Sequence, residues 1–119
     1  MSTMPKTGLM GPYRLTFDGI SSAVARKSPG VYVLGHTSPE GTFRIHKVGR
    51  SDTDVSEKLR DYIGTDTMFK FGYFPSAEAA FERECELYHD FKPAGNRLHP
   101  DRPSRSSLEC PRCRFFDSQ

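Results

Sequence analysis

The segment 30–51 constrains the fold of this chain more than any other part of the sequence. GVYVLGH (30–36) is rich in apolar and β-branched residues, and SPEG (38–41) has the composition of a turn. TFRIHKVGRS (42–51) alternates in polarity, which is the period of a strand. The segment therefore predicts a β-hairpin. Its second strand has two faces, carrying Phe43, Ile45 and Lys47 on one and Arg44, His46 and Val48 on the other.

Local patterns predict the elements around the hairpin. DGISSAVARKSPG (18–30) indicates a short helix, Val55, Leu59 and Ile63 form a helical stripe, and MFKFGYF (68–74) is a third strand. We expect a mixed α/β fold, of the α+β class, with a small three-stranded antiparallel sheet flanked by helices. The predicted domain organisation is a flexible leader at 1–12 and a single domain at 13–119, whose irregular CxxC-containing tail is 97–119.

The last predicted helix, from Ser76 to about Phe91, carries an acidic residue in an unusual place. Its apolar stripe consists of Ala77, Ala80, Phe81, Leu87, Tyr88 and Phe91. Glu84 lies in the middle of that stripe, whereas the other acids of the helix follow the opposite face. Because an isolated buried charge is costly, Glu84 must be paired, hydrogen-bonded or bound to a metal ion.

Composition narrows the class of protein. A chain of 119 residues with 27% charged side chains fits one modest globular core, and no apolar run approaches the ~20 residues needed to span a bilayer. The N-terminal sequence has no apolar signal-peptide core, so we expect a cytoplasmic protein without membrane contact. Basic side chains are concentrated towards both ends, which points weakly to nucleic acid as a partner.

The cysteines predict a second metal site. Cys110-Pro-Arg-Cys113 is a CxxC knuckle of the type that supplies two thiolates to structural zinc. Cys85 and His89, at i and i+4 on the last helix, would complete a tetrahedral site, with His99 as the alternative fourth ligand. Such a site would hold the proline-rich tail against the domain. The other interpretation is that the cysteines bind no metal.

Six short motifs, in order along the chain, resemble those of the GIY-YIG nuclease superfamily. Gly30-Val31-Tyr32 is similar to the GIY motif, and Lys47-Val48-Gly49 stands at the YIG position, as in the branch of the superfamily that has KIG there. The remaining matches are Arg50, the Lys58-Leu59 step, Tyr62, and the Glu84–Pro93–Asn96 spacing. The resemblance covers roughly residues 29–96.

The resemblance implies a metal-dependent endonuclease that hydrolyses phosphodiester bonds in DNA. Glu84 would hold Mg²⁺ or Mn²⁺, which supplies Lewis acidity at the phosphate. Tyr32 and Tyr62 would be the candidate phenols for proton transfer, and Arg50 would steady the phosphate. The resemblance further implies site roles for Lys47 and Lys58, with Arg60 and Asn96 as substrate-binding candidates.

Two departures from the family pattern leave a second hypothesis open. Lys47 replaces the YIG tyrosine and Lys58 replaces the helix arginine, and lysine lacks the planar fork that binds phosphate in two places. Arg60 is about 200° around the helix from Lys58 and does not share its face. The alternative is therefore a weakly active or inactive nucleic-acid-binding or interaction module with a structural zinc. Under either hypothesis, selection of the target by a partner protein or a homodimer, or low specificity, is compatible with the sequence.

Overall fold

The hairpin predicted at 30–51 forms half of a larger antiparallel sheet. The computed structural model describes residues 7–96, 98–103 and 108–113. Its elements, in chain order, are β1 (Met10–Arg14), α1 (Phe17–Ala23), β2 (Gly30–Thr37), β3 (Phe43–Ser51), α2 (Val55–Arg60), β4 (Met68–Tyr73) and α3 (Ala77–Phe91). The strands lie in the order β1-β4-β2-β3, and each pair of neighbours is antiparallel. The fold class is α+β.

The sheet has four strands, so the prediction of three was wrong. The additional strand, β1, pairs with β4 and includes residues 10–12, which were assigned to a flexible leader. All five of its residues are exposed, so no buried face imposes an alternation of polarity on its sequence. Pro12 also argues against a strand, yet proline is tolerated at an edge because its missing N–H need not join the ladder. Residues 1–6 of the predicted leader lie outside the described residues.

A β-bulge in β3 changes the predicted faces of that strand. Leu34 is opposite Lys47 and Gly35 is opposite Ile45, so His46 is left without a partner across the hairpin. One extra residue reverses the direction of every following side chain. Val48 therefore packs with Phe43 and Ile45, and Lys47 lies on the other face, contrary to the alternation predicted from sequence.

The sheet is covered on both sides. Beneath α1 and α2, the first face holds a buried cluster made of Leu15, Ile20, Val24, Tyr32, Leu34, Val55, Leu59, Phe69 and Phe71. Beneath α3, the second face holds Val31, Val33, Val48, Ala80 and Leu87. A third small cluster of Phe81, Cys85 and Cys110 joins α3 to the tail. The period of two in β2 explains why Tyr32 faces α2 whereas Val31 and Val33 face α3.

Hydrogen bonds to the first turn define where the helices begin. The Asp54 carboxylate accepts from the backbone N–H of Ser56 at 3.1 Å, and Ser76 Oγ accepts from that of Ala79 at 3.1 Å. α2 ends at Arg60, so Ile63 lies beyond it and is 40% exposed, although the sequence pattern included it in the helical stripe. None of the helices in the described residues has both the length and the apolar character needed to cross a bilayer.

Candidate functional site

An open cleft lies where the end of β3 meets α2, α3 and the tail. Its volume is about 550 Å³. The side chains that line it are Arg50, Ser51, Asp52, Thr53, Asp54, Glu57, Lys58, Asp61, Glu84 and Asp101. Three of the predicted site residues, Arg50, Lys58 and Glu84, therefore share one cleft. Its six carboxyl groups outnumber its two basic groups, so the cleft attracts cations more readily than free phosphate.

The centre of the cleft is an ion pair between Arg50 and Glu84. Arg50 Nη1 donates to Glu84 Oε1 at 2.7 Å, and Arg50 Nε donates to Asp52 Oδ1 at 2.6 Å. The same Nη1 donates to the backbone carbonyl of Asp101. The guanidinium also lies over the Phe81 ring, 5.2 Å from its centroid. Glu84 is only 7% exposed, so its place on the buried face of α3, predicted from the apolar stripe, is confirmed.

Burial determines the protonation of Glu84. It raises the pKa of this carboxyl to about 7, although the Arg50 guanidinium acts in the opposite direction. The negative charges of Asp52 and Asp101 raise the pKa further. Around neutral pH, Glu84 therefore exchanges between a neutral and an ionised form, as is common for carboxyl groups at functional sites.

The raised pKa predicts a pH-dependent cost in stability. Between the ordinary pKa of 4.5 and about 7, folded Glu84 binds a proton that the unfolded chain releases, so the free energy of unfolding falls as pH rises. We expect Glu84→Gln to gain stability over the wild type across this range, by an amount on the order of 3 kcal/mol, and the difference to level off above it. Urea unfolding of both proteins from pH 5 to pH 8 measures this. Parallel pH profiles would contradict it.

Tyr32, Tyr62 and Lys47 form a second group on the other side of β3. The Tyr32 and Tyr62 rings are 5.8 Å apart, and Lys47 Nζ lies over the Tyr62 ring, 4.5 Å from its centroid. These residues do not line the cleft. The charge of Glu84 nevertheless contributes to the raised pKa of Tyr32, so the two groups lie within electrostatic reach of each other.

The two phenols have opposite pKa shifts. Burial raises the pKa of Tyr32 far above its ordinary value, and a hydrogen bond with Tyr62 adds to this effect. For Tyr62, partial burial also acts to raise the pKa, but hydrogen bonds from Lys47 and Tyr32 outweigh it and the pKa is lowered. Tyr32 is thus held as a neutral hydrogen-bond donor, whereas Tyr62 is the phenol that more readily loses its proton.

The absence of a side chain at Gly49 makes room for the Tyr32 ring. The two residues are opposite each other in the β2–β3 pair, and a Cβ atom on residue 49 would lie 2.3 Å from both Cζ and the hydroxyl oxygen of Tyr32. The ring therefore lies across the bare backbone of Gly49. Any side chain at position 49 would therefore clash with the Tyr32 ring in its observed place.

The remaining predicted site residues lie outside the cleft. Asn96 Oδ1 accepts from the Val48 N–H at 2.7 Å and Asn96 Nδ2 donates to the Val48 carbonyl at 2.9 Å, which fixes the turn after α3 to β3. The Arg60 guanidinium lies over the exposed Phe17 ring, 5.5 Å from its centroid. The geometry brings neither side chain to the Arg50–Glu84 pair.

A separate cluster of possible metal ligands lies between α3 and the tail. It consists of His89, His99, Cys110 and Cys113, whose ligand atoms all lie within 4.8 Å of one another. His99 Nε2 is 3.3 Å from His89 Nε2 and 3.3 Å from Cys113 Sγ. A tetrahedral zinc with ordinary bond lengths places two nitrogens about 3.3 Å apart and nitrogen and sulfur about 3.6 Å apart. This His₂Cys₂ cluster could hold a metal ion.

Neighbouring groups favour the metal-binding forms of the two histidines in the cluster. His99 Nδ1 lies 2.8 Å from the Pro100 carbonyl, so it carries the proton and leaves the Nε2 lone pair directed into the cluster. Burial lowers the pKa of His89, and the nearby His99 and Arg112 lower it further, which favours the neutral imidazole that binds metals. Arg112 donates to Asp90 at 2.7 Å and ties the CxxC knuckle to α3.

The cluster contains His99, which the sequence offered as the alternative fourth ligand, and does not contain Cys85. Cys85 is fully buried beside Cys110. Burial and the neighbouring Cys110 raise the pKa of the Cys85 thiol, which opposes the thiolate form that binds metal. Sequence spacing on α3 correctly brought Cys85 and His89 near the knuckle but did not reveal which of them belongs to the cluster of possible ligands.

Two groups that contact Arg50 in the cleft were missed in the sequence. Asp52 is two residues after Arg50, and this short spacing was the available signal for its contact with Nε. Asp101 acts through its backbone carbonyl, which carries no sequence signal at all. Residues 97, 104–107 and 114–119 of the predicted tail lie outside the described residues.

Comparisons with protein-family models, with curated proteins and with solved structures find no match to this chain. The assignment of a function therefore depends on the arrangement of its own side chains.

Proposed function

We propose that this protein is a metal-dependent endonuclease of the GIY-YIG type that hydrolyses phosphodiester bonds in DNA. The observation that carries the proposal is the meeting of Arg50, Lys58 and Glu84 in one cleft, with the Tyr32 and Tyr62 phenols on the other side of the same strand. These are the side chains that the six motifs select, and they come from β2, β3, α2, the segment after it and α3. The motif resemblance and the shared cleft together support the proposal better than either does alone.

The cleft suits a hard divalent cation. Mg²⁺ and Mn²⁺ prefer oxygen ligands, and Mg²⁺ commonly uses one or two protein carboxylates with several waters. Glu84 would hold the ion, and the charges of Asp52 and Asp101 favour a cation near it. When bound, the ion would supply Lewis acidity at the phosphate. Arg50 competes for one Glu84 oxygen, so cation binding and the ion pair are linked.

The side chains of this chain would divide the remaining work. Arg50, once it exchanges part of its contact with Glu84 for substrate, would bind a phosphate oxygen. Lys58 would add positive charge to a cleft in which carboxyl groups outnumber basic groups. Tyr62, whose pKa is lowered and to whose oxygen Tyr32 donates, does not line the cleft, so it would take a proton from the attacking water only through an intervening water molecule.

The test uses supercoiled plasmid and branched DNA, each incubated with the full chain and Mg²⁺ or Mn²⁺. We expect metal-dependent nicking or cutting that chelation abolishes. Glu84→Ala should be inactive, and cleavage at equal rates by wild type and variant would mean that the nuclease is a contaminant or that Glu84 has no role.

We further propose that the His₂Cys₂ cluster holds a structural Zn²⁺. The imidazole and thiolate ligands fit zinc better than Mg²⁺ or Ca²⁺, and four protein ligands leave no open position for catalysis. The site would join the tail to α3.

Zinc content distinguishes the cluster from the ligand set predicted by spacing. We expect one zinc per chain in the purified protein, with loss of zinc in Cys110→Ser and in His99→Ala. Cys85→Ser should keep its zinc, because Cys85 is not a member of the cluster. Elemental analysis of the three variants and the wild type measures this. Zinc lost with Cys85 and kept without His99 would contradict the proposed ligands.

A second candidate is a nucleic-acid-binding module that has kept the site residues without the chemistry. The observation that favours it is that Arg50 and Glu84 already neutralise each other, at 2.7 Å. Salt-dependent DNA binding without cleavage, at every metal and substrate tried, would support this function over the endonuclease.

A further inference from the structure

The segment around His99 belongs to two sites at once. His99 is a member of the His₂Cys₂ cluster, and two residues later the carbonyl of Asp101 accepts a hydrogen bond from Arg50 in the cleft. Two residues of chain span at most ~7 Å. The position of His99 therefore limits where Asp101 can lie, and Asp101 forms part of the cleft wall.

Contacts from loop residues hold this wall, among them the packing of the His99 ring against Tyr88, with centroids 5.4 Å apart. Residues 98–103 form no helix or strand, and Leu98, at the start of the segment, is 82% exposed. Pro100 and Pro103 are buried, and Arg102 donates to the Leu108 carbonyl at 3.2 Å. That last bond connects the segment to the arm that carries the CxxC knuckle. The segments 98–103 and 108–113, the two arms of the tail, thus contact each other. Both reach His89 of α3 at the cluster.

An irregular segment of this kind loses much chain entropy when it is fixed in one place. A metal ion that binds ligands from α3 and from both arms offsets this loss, because metal binding is coupled to the ordering of its ligands. The ordered segment also fixes the position of Arg50, because one guanidinium nitrogen donates both to Glu84 and to the Asp101 carbonyl.

We propose that the ion in the His₂Cys₂ cluster holds the cleft wall in place: metal loading fixes segment 98–103 against Arg50 and so maintains the geometry of the Arg50–Glu84 pair. The cluster then acts as a positioning site for the cleft and its loss loosens the cleft locally, without unfolding the sheet. This anchoring rests on the proposed zinc site and not on the proposed cleavage of DNA.

The experiment measures backbone and side-chain order by ¹⁵N relaxation in the full chain, with one equivalent of Zn²⁺ and after chelation. The reporters are the backbone N–H groups of His99, Asp101 and Arg102 and the Nε–H of Arg50. With zinc we expect backbone order parameters near 0.85, and after chelation values below about 0.6 for the segment. The Arg50 Nε–H order parameter should fall with them. The N–H groups of Val31 and Val33 in β2 should not change.

Two variants make the result specific to the cluster. Cys113→Ser should show the loosened segment even with Zn²⁺ present, and Cys85→Ser should behave as the wild type does. An equally ordered segment with and without zinc would overturn the proposal. So would loss of order in Val31 and Val33 after chelation, since the metal would then support the whole fold, and so would a chain that binds no zinc. None of these results affects the test of Glu84, which depends on DNA cleavage.

Discussion

Replacing Glu84 by glutamine is expected to reduce metal-dependent DNA cleavage by about a hundredfold or more. The amide keeps the shape of the side chain but cannot hold a divalent cation as a carboxylate does, and the Lewis acidity of such an ion contributes several kcal/mol to catalysis. Because glutamine resembles the neutral form of Glu84 that burial favours, the fold should tolerate it. Initial rates of plasmid nicking at saturating Mg²⁺ measure the effect.

The matched control is Glu82→Gln, the same substitution on the exposed side of the same helix. It removes one negative charge from α3 without touching the cleft, so its rate should stay within about twofold of the wild type. If both variants lose activity equally, the effect arises from charge on the helix surface and not from a ligand at Glu84. If Glu84→Gln retains full activity, the proposed site is wrong.

The second large effect is expected from Gly49→Ala. A methyl group at this position would lie 2.3 Å from the Tyr32 ring, which is fully buried in the cluster beneath α1 and α2. A shift of the ring would therefore displace its neighbours in that cluster. We expect a loss in the free energy of unfolding of about 3 kcal/mol, at the upper end of the range for overpacked cores. In a protein of this size that is a large fraction of the total stability. Urea unfolding with the far-UV circular dichroism signal measures it.

Gly72→Ala is the control for this prediction. Gly72 also lies in a strand of the sheet, but the nearest atom to an added methyl would be the Leu9 Cδ2, at 2.9 Å, which is the end of a flexible side chain. Its cost should therefore be clearly smaller than that of Gly49→Ala. Equal losses in the two variants would show that the contact between Tyr32 and Gly49 has no special importance for stability.

Several features of the fold were predictable because they depend on local periodicity. The hairpin, β4 and α3 follow from alternation and from the helical stripe, and the serine and aspartate caps begin the helices where the sequence suggests. β1 could not be predicted in this way. An exposed edge strand that contains Gly11 and Pro12 has no pattern of its own, and it exists because β4 offers it a partner.

The bulge at His46 shows why the candidate site was only partly predictable. The sequence indicates which residues belong to β3, but one unpaired residue reverses the faces of Lys47 and Val48. Whether a strand contains such an irregularity depends on its neighbours in the sheet. The result is that Lys47 meets Tyr62, a contact that strict alternation would not place there.

The sequence by itself determined that Glu84 would be buried, since a position within the apolar stripe of a helix must face the core. It also determined which side chains were available for a metal near the CxxC knuckle. Only the tertiary structure decided that Arg50 pairs with Glu84, that the cluster contains His99 and not Cys85, and that the Asp101 carbonyl accepts a hydrogen bond from Arg50. Periodicity is a property of one segment, whereas contacts between distant segments depend on how the whole chain packs.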